Sequence, residues 1–148
     1  MKKVVIANDH GAVELSARFI SFLKEEGYEV TYLGTAKNEA VDYPDMAQAA
    51  CLEYLKGGYE FGILCCGSGI GISISANKIN GIRCALPQDI YAAEKCKEHN
   101  NANFIAFGGR IEYKEDPLDM LKAYMKMEAS TEPRHLARID KMMALEKN

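Results

Sequence analysis

The sequence predicts an α/β fold: a doubly wound, Rossmann-like, five-stranded parallel sheet with helices on both faces and an extra C-terminal helix. Three observations lead there. Short apolar runs alternate with longer amphipathic ones along the chain, which is the pattern of strand–helix–strand units. A glycine-rich turn, Cys66-Gly67-Ser68-Gly69-Ile70-Gly71, stands where an apolar run passes into helix-compatible sequence. The length of 148 residues, with 48% hydrophobic and 26% charged side chains, suits one domain (1–148) with a full-sized core.

The elements follow in order. Residues 4–7, Val-Val-Ile-Ala, read as a buried strand. After Asn8-Asp9-His10-Gly11, the side chains Leu15, Phe19 and Leu23 recur at helical spacing until Gly27 stops the helix. Residues 28–33 read as a second strand and 34–38 as a polar loop. Pro44 suits a first helical turn, and Ala47, Ala50, Cys51, Tyr54 and Leu55 form one face that Gly57-Gly58 ends. The third strand is 61–65, and the glycine turn after it opens a helix. Residues 82–86 make a fourth strand, 91–98 a helix, 104–107 a fifth strand and 118–127 another helix. Pro133 opens the last helix, within 132–147, whose Leu136, Ile139 and Met143 share a face; lying outside the alternating core, it is a candidate dimerisation element.

In open parallel sheets, ligands bind beyond the carboxyl ends of the strands, near the point where strand order reverses. Asn8-Asp9-His10, Cys66-Gly67-Ser68 and Gly108-Gly109-Arg110 each follow a strand and fall on that rim. His99-Asn100-Asn101 follows a helix instead and belongs on the opposite rim, where it can join the site only if a second subunit supplies it.

Composition narrows the function. A net charge of −3 provides no basic field of the kind nucleic acid requires. No apolar run reaches membrane-spanning length and none near the N-terminus resembles a signal segment, so a cytoplasmic location is expected. Five cysteines without a Cys-x-x-Cys pair read as free thiols, and no pairing of His10, His99, His135 and the cysteines has a zinc-ligand spacing.

The glycine turn is the most informative segment. Glycine brings bare N–H groups close to a ligand, and a helix N-terminus adds unpaired donors and partial positive charge. Such a turn binds anions, and it lowers the pKa of a cysteine at its mouth. Cys66 is therefore the candidate base, while Cys65 points into the core because side chains alternate along a strand. Taken alone, the turn fits a phosphate cradle as well as a catalytic site. His10 and His99 lie in polar contexts, and Arg134-His135-x-x-Arg138 puts two guanidinium groups on one helical face, suited to a phosphate.

The ordered set is more specific than any member of it. Asn8-Asp9-His10-Gly11, Val41-Asp42-Tyr43-Pro44-Asp45, Cys66-Gly67-Ser68-Gly69-Ile70-Gly71, Ala76-Asn77-Lys78-Ile79-x-Gly81-Ile82-Arg83, His99-Asn100-x-x-Asn103, Gly108-Gly109-Arg110 and Arg134-His135-x-x-Arg138 resemble the ribose-5-phosphate isomerase B family. That family also holds galactose-6-phosphate and allose-6-phosphate isomerases, and the resemblance runs from Val4 to about Arg138.

It implies an aldose–ketose isomerase needing no metal or other cofactor, assembled as a homodimer or dimer of dimers with shared sites. Cys66 would move a proton between C1 and C2 through a cis-enediolate, with the Ser68 hydroxyl beside it as a further catalytic group. The N–H groups of Gly67, Gly69, Ile70 and Gly71 would hold the oxyanion. His99 with Asn100, from the partner, would open the furanose ring. Asp9 and Tyr43 would contact sugar hydroxyls, and His10, Arg134 and Arg138, with Arg110 from the partner, would hold the phosphate.

Two departures stand out. Ser68 replaces a threonine common in the family, and the segment 129–133 lacks the glycines expected before the two arginines. Ribose 5-phosphate is the leading substrate and a 6-phosphohexose the nearest rival. An anion-binding, flavodoxin-like regulatory module is the alternative from another class, and redox signalling through Cys65-Cys66 ranks last.

Overall fold

The protein is described from a computed structural model, whose described residues are 1–37 and 39–146. Asn38, at the end of the expected polar loop, and Lys147, at the end of the expected last helix, lie outside them. Five strands form one parallel sheet: β1 (Lys3–Asn8), β2 (Glu29–Tyr32), β3 (Phe61–Cys66), β4 (Cys84–Ala85) and β5 (Phe104–Gly108), in the order β2-β1-β3-β5-β4. The helices are α1 (Val13–Glu25), α2 (Tyr43–Leu55), α3 (Ile70–Asn77), α4 (Ile90–Glu98), α5 (Pro117–Lys126) and α6 (Pro133–Met143), with a short 3₁₀ turn at His10–Ala12 ahead of α1. Among the described residues no helix is long and apolar enough to cross a membrane.

The two faces of the sheet carry separate cores, as strand alternation dictates. Val4, Ile6, Ile63, Cys65, Ile105 and Phe107 point to one side, where Phe19 and Leu23 of α1 and Met120, Leu121 and Tyr124 of α5 cover them. Val5, Ala7, Leu64, Cys66, Phe104 and Ala106 point to the other, under Ala47, Ala50 and Cys51 of α2 and Ile72 and Ala76 of α3. The helices thus divide between both faces, as the alternation of runs predicts. Strand order reverses between β1 and β3, and Asn8 pairs with Cys65 at the carboxyl end of that pair.

The largest departure from the sequence reading is β4, expected over 82–86 and reduced to two residues. Ile82 N–H bonds Ile79 carbonyl and so belongs to the preceding turn. The Asn77 side chain then takes both backbone groups of Cys84, accepting from its N–H and donating to its carbonyl, each at 2.8 Å. An edge strand whose outer groups are met by a side-chain amide has no ladder to extend. The other strands and helices shift by a residue or two at their ends. The last helix is shorter than the 132–147 expected and keeps a mostly exposed surface, with Leu136 and Met142 among its exposed apolar residues.

Candidate active site

Three loops meet beyond the carboxyl ends of β1, β3 and β5. Asp9 is buried, donates its backbone N–H to Cys65 carbonyl at 3.1 Å, and accepts Gly11 N–H on its carboxylate at 2.8 Å. Gly11 abuts Gly67 so closely that a Cβ there would lie 2.8 Å from Gly67 N. Gly109 N–H bonds Cys66 carbonyl at 2.8 Å and Arg110 N–H bonds Gly67 carbonyl at 2.9 Å. Asp9, His10, Cys66, Gly67 and Arg110 of one chain are thereby held together. The resemblance implies that Arg110 acts from the partner; within one chain its side chain lies against Gly67, 3.5 Å from where a Cβ would stand, its backbone being stitched to that loop.

Cys66 and Cys65 separate as alternation requires. Cys65 is fully buried on the α1 face, and burial pushes its thiol up to about 12. Burial does the same to Cys51 and Cys96, leaving three thiols unreactive at neutral pH. Cys66 faces the α2–α3 side at the mouth of the glycine turn, and Gly69 N–H points at its sulfur at 3.1 Å. Gly69 takes φ +78°, a conformation that side chains other than glycine's rarely adopt, and this bend aims its N–H back at Cys66.

The turn's remaining donors are partly committed. Ser68 hydroxyl accepts Ile70 N–H at 3.1 Å, which ties Ser68 into the start of α3. The first intrahelical bond runs from Ser73 N–H to Gly69 carbonyl, so Gly71 and Ile72 N–H precede the ladder and face the mouth of the helix. Of the N–H groups expected to cradle an oxyanion, those of Gly69 and Ile70 therefore have other partners. Tyr43 packs its ring on Gly71, where a Cβ would come within 2.6 Å of it. The half-exposed His10 accepts Val41 N–H on Nδ1 at 3.2 Å, which leaves Nε2 to carry the ring proton as a donor. Tyr113, whose hydroxyl accepts Gly108 N–H at 2.8 Å, is a support that sequence reasoning missed. Val41 stands in one of the ordered motifs without a role, because it acts only through its backbone.

His99, Asn100, Arg134 and Arg138 are elsewhere. His99 caps α4 shortly before β5 begins, on the amino rim of the sheet. β5 has five residues, a span of about 16 Å, which separates His99 from the Cys66 rim of its own chain. The two arginines project from α6, and that helix is fastened to the same amino rim. Ser130 N–H bonds Glu98 carbonyl at 2.8 Å, Gly81 N–H bonds the Glu146 carboxylate at 2.8 Å, and Arg83 reaches Met143. The segment 129–133, which departs from the family pattern, thus provides an anchor through Ser130. The candidate residues of one chain therefore fall into two groups: Asp9, His10, Tyr43, Cys66, the glycine turn and Arg110 on one rim, His99, Asn100, Arg134 and Arg138 on the other.

Among the described residues no three His, Cys, Asp or Glu side chains gather in a way that could hold a metal ion. The chemistry available is that of a sulfur with a backbone donor aimed at it, a buried carboxylate, and helix-start and guanidinium groups for anions.

Known proteins resemble this chain in sequence and fold. Residues 4–142 match the family described as Ribose/Galactose Isomerase. The ribose-5-phosphate isomerase B of Escherichia coli (strain K12) is 36% identical over 146 residues, covering 99% of this chain and 97% of its own. A galactose-6-phosphate isomerase subunit of Clostridium acetobutylicum is 40% identical over 108 residues, covering 73% of this chain and 62% of its own. The solved structure of Clostridium thermocellum ribose-5-phosphate isomerase B superposes with a TM-score of 0.91 at 40% identity, over 97% of this chain and 96% of that one. The chain belongs to the ribose/galactose isomerase family and is an aldose–ketose isomerase, in keeping with its ordered motifs.

Proposed function

We propose that the enzyme interconverts ribose 5-phosphate and ribulose 5-phosphate through a cis-enediolate, with the Cys66 thiolate as base. The observation that carries this reading is Gly69 N–H directed at Cys66 sulfur at the mouth of the glycine turn. A donor so placed suits an anionic sulfur, and the N–H groups at the start of α3 suit the oxygen that gains charge as the proton leaves. Cys66 takes the proton from C2 of the open-chain aldose and returns it to C1, while the hydroxyl proton passes from O2 to O1 through the enediol. Asp9 and Tyr43 bind sugar hydroxyls, and the Ser68 hydroxyl acts beside Cys66 as a further catalytic group.

Ring opening falls to His99 with Asn100 of a second copy. The separation of about 16 Å within one chain supports this, since a substrate at Cys66 is beyond its own chain's His99. Two-fold assembly brings the amino rim of one chain to the carboxyl rim of the other, so Arg134 and Arg138 also come from the partner, while Arg110 acts within its own chain. Phosphate is then held by His10 and Arg110 from one side and the α6 arginines from the other. Exposed Ile70 and Ile74 on α3 and Leu52 and Leu55 on α2 supply apolar surface for such a contact. In this reading residues 1–148 act as one domain and α6 lies at the subunit interface.

Similarity to the galactose-6-phosphate isomerase subunit favours a 6-phosphohexose as the second reading. Assay of chelator-treated enzyme on ribose, allose and galactose phosphates tests both. A kcat/KM for ribose 5-phosphate above that for either hexose supports the pentose reading, and the reverse order replaces it. Loss of all activity on chelation, restored by metal, would overturn the thiolate mechanism.

A further inference from the structure

The motif Arg134-His135-x-x-Arg138 was read for its arginines, yet its histidine is the better-held residue. His135 is 7% exposed, the only buried histidine among the described residues. Its ring stacks on that of His99 in the same chain, with centroids 4.4 Å apart and planes 34° apart. Nδ1 of His135 lies 2.8 Å from Ser130 hydroxyl. Ser130 is fixed in turn, since its backbone N–H bonds the carbonyl of Glu98, next to His99. Glu98 carboxylate stands 3.4 Å from His99 Nε2 and is paired with Lys95 at 2.8 Å. Glu132 carboxylate, paired with Arg134 at 2.9 Å, lies 3.7 Å from His135 Nδ1.

We propose that His135 is a positioning residue for His99: the buried, Ser130-anchored ring supports one face of the His99 ring and fixes the direction in which its nitrogens point. A half-exposed histidine at a helix end otherwise samples several rotamers, and ring opening needs one of them. The Ser130–His135–His99 stack also couples the segment before α6 to the ring-opening group, so the two arginines and His99 arrive at a substrate as one unit. The inference rests on the proposed role of His99 and adds a residue to it.

The test combines a spectrum with a mutant cycle. In His135→Ala the NMR signal of His99 Cε1–H loses the ring-current displacement caused by its neighbour and moves toward that of an unstacked histidine. Turnover from ribose 5-phosphate falls about tenfold in kcat with KM little changed, while deuterium exchange at C1 of ribulose 5-phosphate, which needs Cys66 as base but not His99, persists. In a His99→Asn background the same change has no further effect, because nothing remains to position. His135→Phe, which keeps a flat ring in place, regains most of the lost turnover and guards against misfolding of the alanine variant. An unmoved His99 signal overturns the proposal whatever the activity. So do equal losses in both backgrounds, or equal losses of turnover and exchange, which would mark a purely structural role. Failure of His99→Asn itself to slow ribose 5-phosphate would instead overturn the ring-opening role, with the stacking still read by the spectrum.

Discussion

The two rims of the sheet are built differently, and the difference matches the tasks proposed for them. The carboxyl rim is built largely on backbone donors. Main-chain bonds join Asp9 to Cys65, Gly109 to Cys66 and Arg110 to Gly67. The N–H groups of Gly11 and Gly69 reach the Asp9 carboxylate and the Cys66 sulfur, and Cys66 is 4% exposed. The amino rim is side-chain architecture. His99 is held by a stacked ring and a carboxylate, and Arg134 by Glu132, on a helix whose surface is largely exposed. Proton transfer between adjacent carbons demands a base placed to a fraction of an ångström, which rigid main chain provides. In the proposed reading, the groups for ring opening and phosphate capture are brought in from a second chain, and side-chain contacts such as the His99–His135 pair fix their orientation.

The largest effect should fall on the rigid rim. Cys66→Ala is expected to lower isomerisation by about 10³–10⁴-fold and to abolish C1 exchange of ribulose 5-phosphate, measured by loss of the C1 proton signal in deuterated water. Cys65→Ala should keep the exchange, since Cys65 lies in the opposite core. Persisting exchange in Cys66→Ala would move the base elsewhere and end the contrast between the rims.

His99→Asn should slow turnover of cyclic ribose 5-phosphate by about 10²-fold yet leave C1 exchange of the open-chain ketose in place. Mixing inactive Cys66→Ala and His99→Asn proteins sharpens the comparison. Subunit exchange creates dimers with one intact site, and about a quarter of normal activity should return. No recovery, with exchange verified by mass, would mean that each chain works alone.

Arg138→Ala tests the phosphate half of the amino rim. Loss of one charged hydrogen-bonding partner is worth about 1.5–3 kcal/mol, or roughly ten- to more than a hundredfold in affinity. KM for ribose 5-phosphate should rise accordingly and inhibition by free phosphate weaken. A fall in kcat at constant KM would show that Arg138 does not bind the phosphate.

The smallest effect is electrostatic. The Lys95 ammonium bonded to Glu98 holds its carboxyl below the usual range, with lesser help from His99 and His135. The folded value lies below the unfolded one, so this contribution is present above about pH 4.3 and is lost as pH falls through the depressed value. Glu98→Gln should flatten the acid side of the Tm–pH profile slightly, because the group is solvent-exposed and screened. An unchanged profile would show that the Glu98 pair adds nothing to the stability of the amino rim.

Much of this was legible in the sequence because it follows from local rules. Period-two and period-3.6 apolar spacing marked the strands and helices, and alternation alone sent Cys65 and Cys66 to opposite faces. Chain order put Asp9, Cys66 and Arg110 after strands and His99 after a helix, so the division into two rims was readable before any coordinate. Other features depend on contacts distant in sequence and carry no local signature. The shortening of β4 by the Asn77 amide, the bond from Val41 N–H to His10 and the own-chain seat of Arg110 arise only once loops meet. Docking of α6 through Ser130, with His135 laid against His99, is of the same kind. Periodicity records which face a residue turns to the core, whereas the path of a loop across a rim is set by backbone donors that any side chain carries equally.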